Sequence, residues 1–172
     1  YSPKKEAGLR PDRAVIVYCN RIREAYGDIP IIIGGVEASL RRFAHYDYWD
    51  DKVRRSILID SGADILSYGM GEKSIPEIAH LLDKGVPVKK IRSVRGTVVC
   101  TEPEYEPNFD YVDTFNYDEL KTDKKKYAES FALQYKNTDP VDGKALCEFY
   151  DNKKIVQNPP SFLLTREEMD EV

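Results

Sequence analysis

Two stretches of this sequence carry the residues best suited to holding a ligand. In the first, the β-branched run Ile31-Ile32-Ile33 leads into Gly34-Gly35-Val36-Glu37; in the second, Asp64-Ile65-Leu66-Ser67-Tyr68 leads into Gly69-Met70-Gly71-Glu72. Glycines placed straight after a strand let the backbone turn tightly and leave N–H groups free. The C-terminal ends of parallel strands are where open α/β sheets bind ligands, and helix N-termini favour anions. Gly34, Gly35, Glu37, Gly69, Gly71 and Glu72 are therefore the candidate cofactor-binding residues, with Glu72 suited to accept hydrogen bonds from a ligand ribose. The spacing is not G-x-G-x-x-G. A ligand-free strand-to-helix turn accounts for Gly34-Gly35 more simply, and a negative charge such as Glu72 is favoured at a helix start without any ligand. Two such turns on one rim strengthen the binding reading but do not choose the ligand.

A third stretch, Arg41-Arg42-Phe43-Ala44-His45-Tyr46-Asp47-Tyr48-Trp49-Asp50-Asp51 followed by Arg54-Arg55, interleaves aromatic and basic side chains. Such a pattern can stack on single-stranded nucleic acid, but Asp47, Asp50 and Asp51 would repel phosphate. Tyr and Trp pack well at contacts and Arg pairs with carboxylates. The expectation is an interface with another part of a larger protein, with nucleic acid disfavoured. His45 beside Asp47 offers an acid/base pair, though a structural hydrogen bond is the commoner outcome.

Metal chemistry finds little support. Cys19, Cys100 and Cys147 are far apart in sequence, whereas zinc and iron–sulfur sites use closely spaced thiolates. An odd number of scattered cysteines is no disulfide framework and suggests a reducing, cytoplasmic setting. There is no nucleophile elbow and no P-loop.

The elements that must position these residues alternate. Pro11-Asp12 opens a helix, with Asp12 as N-cap and Val15, Cys19, Ile22 and Tyr26 on one apolar face. Strands at 30–33, 64–68 and 97–100 are separated by helices at 36–44, 53–59 and from Ser74 to about Gly85, where Ser74 and Glu77 have capping-box spacing. Strands joined through helices imply parallel pairing. Further on, 118–136 reads as one long polar helix, and Ala145–Tyr150 with Lys153–Gln157 as a β-hairpin. Asn158-Pro159-Pro160 is a stiff linker, and Thr165 with Glu168 caps a final helix. The expected fold is α/β: part of a Rossmann-like parallel sheet flanked by helices, with a helix and hairpin extension.

The chain has 172 residues, 41% hydrophobic and 33% charged, which suits a folded, water-soluble domain. No apolar run approaches a membrane span. Charge is uneven: residues 1–100 carry net +4 and residues 101–172 net -8. The shift falls at Thr101–Pro107, so the expected division is 1–104 as the sheet domain and 105–172 as an acidic connector. Tyr1 in place of Met, and a capped helix with no exit signal at the end, suggest a fragment of a longer protein.

Gly34-Gly35-Val36-Glu37-Ala38-Ser39-Leu40-Arg41-Arg42-Phe43-Ala44-His45-Tyr46-Asp47-Tyr48-Trp49 resembles the YgiQ-type radical S-adenosylmethionine proteins, described as Fe-S oxidoreductases. Val53–Leu58, Ala63–Glu72 and Asn158-Pro159-Pro160 with the Leu164–Asp170 tail extend the resemblance over nearly the whole chain. The resemblance implies a Rossmann-like region ahead of a radical S-adenosylmethionine barrel. Gly34, Gly35, Gly69, Gly71 and Glu72 match turns of the cobalamin-binding-type domains that precede many such cores. It also implies a 4Fe-4S cluster and S-adenosylmethionine in the full-length protein, held by a C-x-x-x-C-x-x-C loop that this chain lacks. The cobalt-ligating histidine would lie in a half not present here, so cobalamin binding does not carry over.

The reading is thus an accessory region of a radical S-adenosylmethionine oxidoreductase of undefined substrate, with no complete active site and no cofactor of its own. Its partner is the rest of the parent chain, met through Arg41–Arg55. The alternative is a stand-alone module binding a nucleotide or corrinoid at the glycine rim.

Overall fold

We describe Gly8 and residues 11–172 of a computed structural model. Tyr1 lies outside the described residues. The first helix, α1, is Ala14–Tyr26. It starts at Arg13, which takes a left-handed conformation, and not on an Asp12 cap. Its inner face is Val15, Ile16, Cys19 and Ile22, while Tyr26 points outward.

Strand β1 (Ile32–Ile33) is followed by α2 (Gly35–Leu40), which stops short of the expected Ala44. The chain then forms a two-stranded antiparallel ribbon, β2 (His45–Asp47) and β3 (Lys52–Arg54), turning at Asp51. Where one helix was expected over 53–59, the ribbon's second strand gives way to a short α3 (Ile57–Ser61), capped by the Ser56 hydroxyl. Next come β4 (Ile65–Ser67), α4 (Ser74–Asp83) and a 3₁₀ turn at Val88–Lys90. Strand β5 spans Thr97–Thr101 and β6 spans Tyr111–Asn116.

The expected long polar helix is two: α5 (Tyr117–Thr122) and α6 (Lys124–Lys136). They break at Asp123, an extended residue whose carboxylate accepts the Lys125 and Lys126 N–H groups. The hairpin β7 (Ala145–Tyr150) and β8 (Lys153–Gln157) forms as read from the sequence. So does the Thr165–Glu168 capping box, which opens α7 (Arg166–Glu171).

The fold is mixed α/β, with one six-stranded sheet in the order β1-β4-β5-β8-β7-β6. β1 and β4 pair in parallel, but β4 and β5 are antiparallel, which corrects the expectation of three parallel strands. The reason is in the connection. Helix α4 carries the chain away from the rim and residues 86–96 bring it back to the same rim, so Ser67 at the end of β4 lies opposite Thr97 at the start of β5. A helix between two strands forces parallel pairing only if it delivers the chain to the opposite edge. A second parallel pair, β6 with β7, is made through α5 and α6. Because β8 pairs with β5 and β7 with β8, the sheet takes strands from both sides of residue 104.

Both faces of the sheet are covered, and the strands show it residue by residue. Ile33, Leu66, Val98, Leu146 and Ile155 join a core with α1, α2 and α3. Their neighbours Ile32, Ile65, Val99, Cys147 and Val156 join a second core with α4 and the 3₁₀ turn. Successive side chains in a strand point to opposite faces. Near-continuous apolar strands therefore need a layer of covering structure on each side.

Candidate functional site

The site expected from sequence starts at the β1–β4 pair. Ile32 lies opposite Ile65 and Ile33 opposite Leu66, in parallel, so the turns leaving the two strands emerge on one rim. They touch: a Cβ on Gly34 would stand 3.2 Å from the Ser67 carbonyl oxygen. Gly35 and Gly69 hold left-handed φ values of +78° and +71°, which an L side chain disfavours. Below them, the Ser67 and Ser74 hydroxyls lie 2.8 Å apart, tying β4 to the first turn of α4. Ser74 is thus spent on β4 and does not cap its helix, whose N-cap position is Lys73.

A cavity of about 580 Å³ opens on this rim. Gly69 and Glu72 line it; Gly34, Gly35, Glu37 and Gly71 do not. Glu37 is committed to Arg41 one helical turn on, at 3.0 Å. Glu72 has a buried Oε2 with no hydrogen-bond partner among the described residues. The opposite wall follows Asn158-Pro159-Pro160, which is packed on the sheet and is not a free linker. Tyr68 donates its hydroxyl to the Asn158 carbonyl at 2.6 Å, and Gly96 N–H donates to the Pro159 carbonyl at 2.8 Å. Arg95 donates to the Pro160 carbonyl at 2.9 Å and lies 4.0 Å from the centre of the Phe162 ring. These contacts lay Ser161–Leu164 along the rim.

Arg42 joins the two walls. Its Nε donates to Gln157 Oε1 at 2.6 Å, one guanidinium nitrogen donates to the Ser39 carbonyl at 2.7 Å, and the group packs 5.4 Å from the centre of the Tyr68 ring. All of these partners are neutral. Burial pulls its pKa below the ordinary arginine value.

The rest of Arg41–Arg55 is largely consumed inside this chain. Ala44 N–H donates to Glu148 on β7, Ser56 N–H to the Tyr150 hydroxyl at 2.9 Å, and the Tyr117 hydroxyl to the Val53 carbonyl at 3.0 Å. Asp47 accepts from Arg13 at 2.9 Å and from Arg54, and Asp50 pairs with the same two arginines. The Arg13 and Arg54 hydrogen bonds hold the Asp47 carboxyl far below the usual carboxylate range. His45 makes no pair with Asp47; its Nδ1 lies 3.1 Å from the Phe43 carbonyl, and burial lowers its pKa. What remains outward is the ribbon tip, where Tyr48 and Trp49 pack at 4.9 Å between ring centres and Trp49 is 79% exposed.

A buried acidic group not among the expected site residues is Glu148, fully buried in β7. Its signal was available: a carboxylate in the otherwise apolar-aromatic run Ala145-Leu146-Cys147-Glu148-Phe149-Tyr150. Burial pushes its carboxyl up to about 7, against the downward pull of its Tyr150 and Ala44 hydrogen bonds.

The thiols do not fit an iron–sulfur cluster. Cys19 and Cys100 belong to one core and Cys147 to the other. Burial raises the pKa of each, Cys147 to about 12, whereas cluster ligation needs thiolates. Among the described residues no group of three His, Cys, Asp or Glu side chains is placed to hold a metal ion. No helix among them is long and apolar enough to cross a membrane.

The Radical SAM N-terminal family matches residues 1–172, the full length of the chain. The chain belongs to that family. A UPF0313 protein of Clostridium botulinum (strain 657 / Type Ba4) is 55% identical over 172 residues, which are all of this chain and 27% of that protein. A UPF0313 protein of Clostridium perfringens (strain ATCC 13124) is 53% identical over the same span, 26% of its length. The chain therefore spans about a quarter of the curated relatives it matches. No solved structure matches it. The resemblance read from Gly34–Trp49 agrees with this membership. Relatives that carry the region as one part of a longer chain give no support to a stand-alone nucleotide or corrinoid module.

Proposed function

We propose that this Radical SAM N-terminal region is an accessory scaffold of a radical S-adenosylmethionine Fe-S oxidoreductase of undefined substrate. In this reading the 4Fe-4S cluster and S-adenosylmethionine are bound by the parent chain outside these 172 residues, and the parent works in the cytoplasm. The observation that carries it is the family match over the whole chain, combined with relatives about four times as long. The dispersed, protonated thiols agree with a cluster held elsewhere.

In this reading the β1–β4 parallel pair, with its two glycine turns, is the Rossmann-like element. Gly34, Gly35, Gly69 and Gly71 shape the rim, and Glu37 steadies α2 through Arg41. Glu72 presents the free acceptor that a bound group would meet. The ribbon tip of Arg41–Arg55 meets the rest of the parent chain through Tyr48 and Trp49.

The test is anaerobic reconstitution with iron and sulfide. The full-length parent chain is expected to show cluster absorbance and, once reduced, to release 5′-deoxyadenosine from S-adenosylmethionine. The 172-residue chain is expected to do neither. A stable cluster on the short chain, or none on the full chain, overturns the reading.

A further inference from the structure

The largely apolar rim cavity adjoins a smaller groove of mixed polarity. The cavity carries Met70, Phe162, Leu163 and Met169, each between 53% and 78% exposed. The groove, about 290 Å³, carries Leu40, Phe131 and Tyr135, between 64% and 73% exposed. Arg42 and Thr138 line both, so the apolar cavity beside α7 and the groove between α2 and α6 meet across these two polar side chains. Single exposed apolar side chains are ordinary, whereas a contiguous set of them marks an interaction surface.

Arg42 sits in the middle of this face. None of its partners carries a negative charge. A half-buried cation surrounded by neutral groups loses water without recovering a charge partner, and a carboxylate brought to it would restore that loss. The cavity also carries Glu72, whose buried Oε2 has no partner among the described residues, so the face asks for a partner that is largely apolar, with an acidic group toward Arg42 and a donor toward Glu72.

We infer that the remainder of the parent chain packs on this face, setting apolar side chains against Met70, Phe162 and Leu163 and a carboxylate against Arg42. The inference rests on the reading of the chain as the N-terminal region of a longer radical S-adenosylmethionine protein. The occupant follows from chain length: relatives carry nearly three times as much chain again outside the matched region. That chain is tethered to this domain, so its effective concentration at the face is far above that of any free partner.

Backbone amides supply the test. Among the described residues, the N–H groups of Ser161, Phe162, Leu163 and Leu164 donate no hydrogen bond. Left uncovered, they exchange with solvent at nearly the rate of a free peptide. In the full-length chain we expect their exchange to be slowed by about 10-fold or more, the hallmark of a closed local state. The slowing should not depend on protein concentration and should be lost in Leu163→Ser, whose side chain is too exposed for its loss to unfold the domain. Fast exchange in the unaltered full chain overturns the inference. So does slowing that grows with concentration, which would mean that a second copy covers the face.

The ionic part has its own readout. In the Arg42→Lys full chain, zero-length carbodiimide coupling should join position 42 to an acidic residue outside these 172 residues. A link confined to this domain, or no link, removes the carboxylate from the proposal. Cluster absorbance on the same samples reports separately on the enzyme reading, so either can fail while the other stands.

Discussion

The Glu148 carboxylate accepts the Ala44 N–H at 2.8 Å while fully buried at the centre of β7. The same oxygen accepts the Tyr150 hydroxyl at 2.7 Å, and that hydroxyl in turn accepts Ser56 N–H at 2.9 Å. One acidic group thus holds both ends of the 44–56 excursion against the sheet.

Stability should fall as this group ionises. Its folded value of about 7 lies above the ordinary glutamate value. A raised acid is neutral in both states at low pH, and its favourable contribution is complete there. That contribution is lost as pH rises from about 4.5 through 7, in total roughly 3 kcal/mol. Glu148→Gln keeps an oxygen for Ala44 and Tyr150 but cannot ionise. Urea midpoints at pH 5.5 and pH 7.5 should converge in the variant and separate in the unaltered protein. Parallel pH profiles for the two proteins would refute the linkage.

The two rim glycines should respond differently to alanine. Gly34 is extended, so its cost is contact: the new Cβ meets the Ser67 carbonyl at 3.2 Å, and a backbone oxygen in a strand yields little. A loss of about 1–2 kcal/mol is expected from such overpacking. Gly69 has open space around it, so its cost is conformational, about 1 kcal/mol for a left-handed alanine. Denaturant titration measures both losses. Asparagine, which tolerates the left-handed region, should recover part of the loss at position 69 and none at position 34.

Asp123→Ala should cost about 1 kcal/mol, the value of an N-cap. Its carboxylate serves the first free N–H groups of α6 at 2.8 and 3.3 Å. The loss should appear as fraying of Lys124–Tyr127 in amide exchange, with α5 unaffected because its own cap is the Asn116–Glu119 box. Uniform loosening of both helices would mean they behave as one.

Trp49 is the sole tryptophan of these 172 residues and lies at the exposed ribbon tip. In this chain alone its fluorescence should be red-shifted and open to quenching by acrylamide. In the full-length parent, the difference spectrum between the unaltered protein and Trp49→Phe should be blue-shifted and protected. An unshifted difference spectrum would leave the ribbon tip out of the contact with the rest of the chain.

Whatever depends on near neighbours is written in the chain itself. Strand positions followed from β-branched runs, the rim turns from glycines after strands, the β7–β8 hairpin and the final capping box from their spacing, and the family from Gly34–Trp49. These are short-range signals, written in adjacent side chains. Strand direction was decided elsewhere: nothing in 86–96 announces that it doubles back, and only the tertiary fold sets Thr97 opposite Ser67 in an antiparallel β4–β5 pair. The Asp123 break was legible as an N-cap residue but weaker than the helical pattern around it, while β6, Tyr111-Val112-Asp113-Thr114-Phe115-Asn116, has no alternation that marks it as a strand. The partners of Arg42 and Glu148 were beyond reach. Gln157 is 115 residues from Arg42, and Glu148 is 104 from Ala44. A buried polar group is satisfied by whatever the tertiary fold brings within hydrogen-bond distance, and only the folded chain sets that distance.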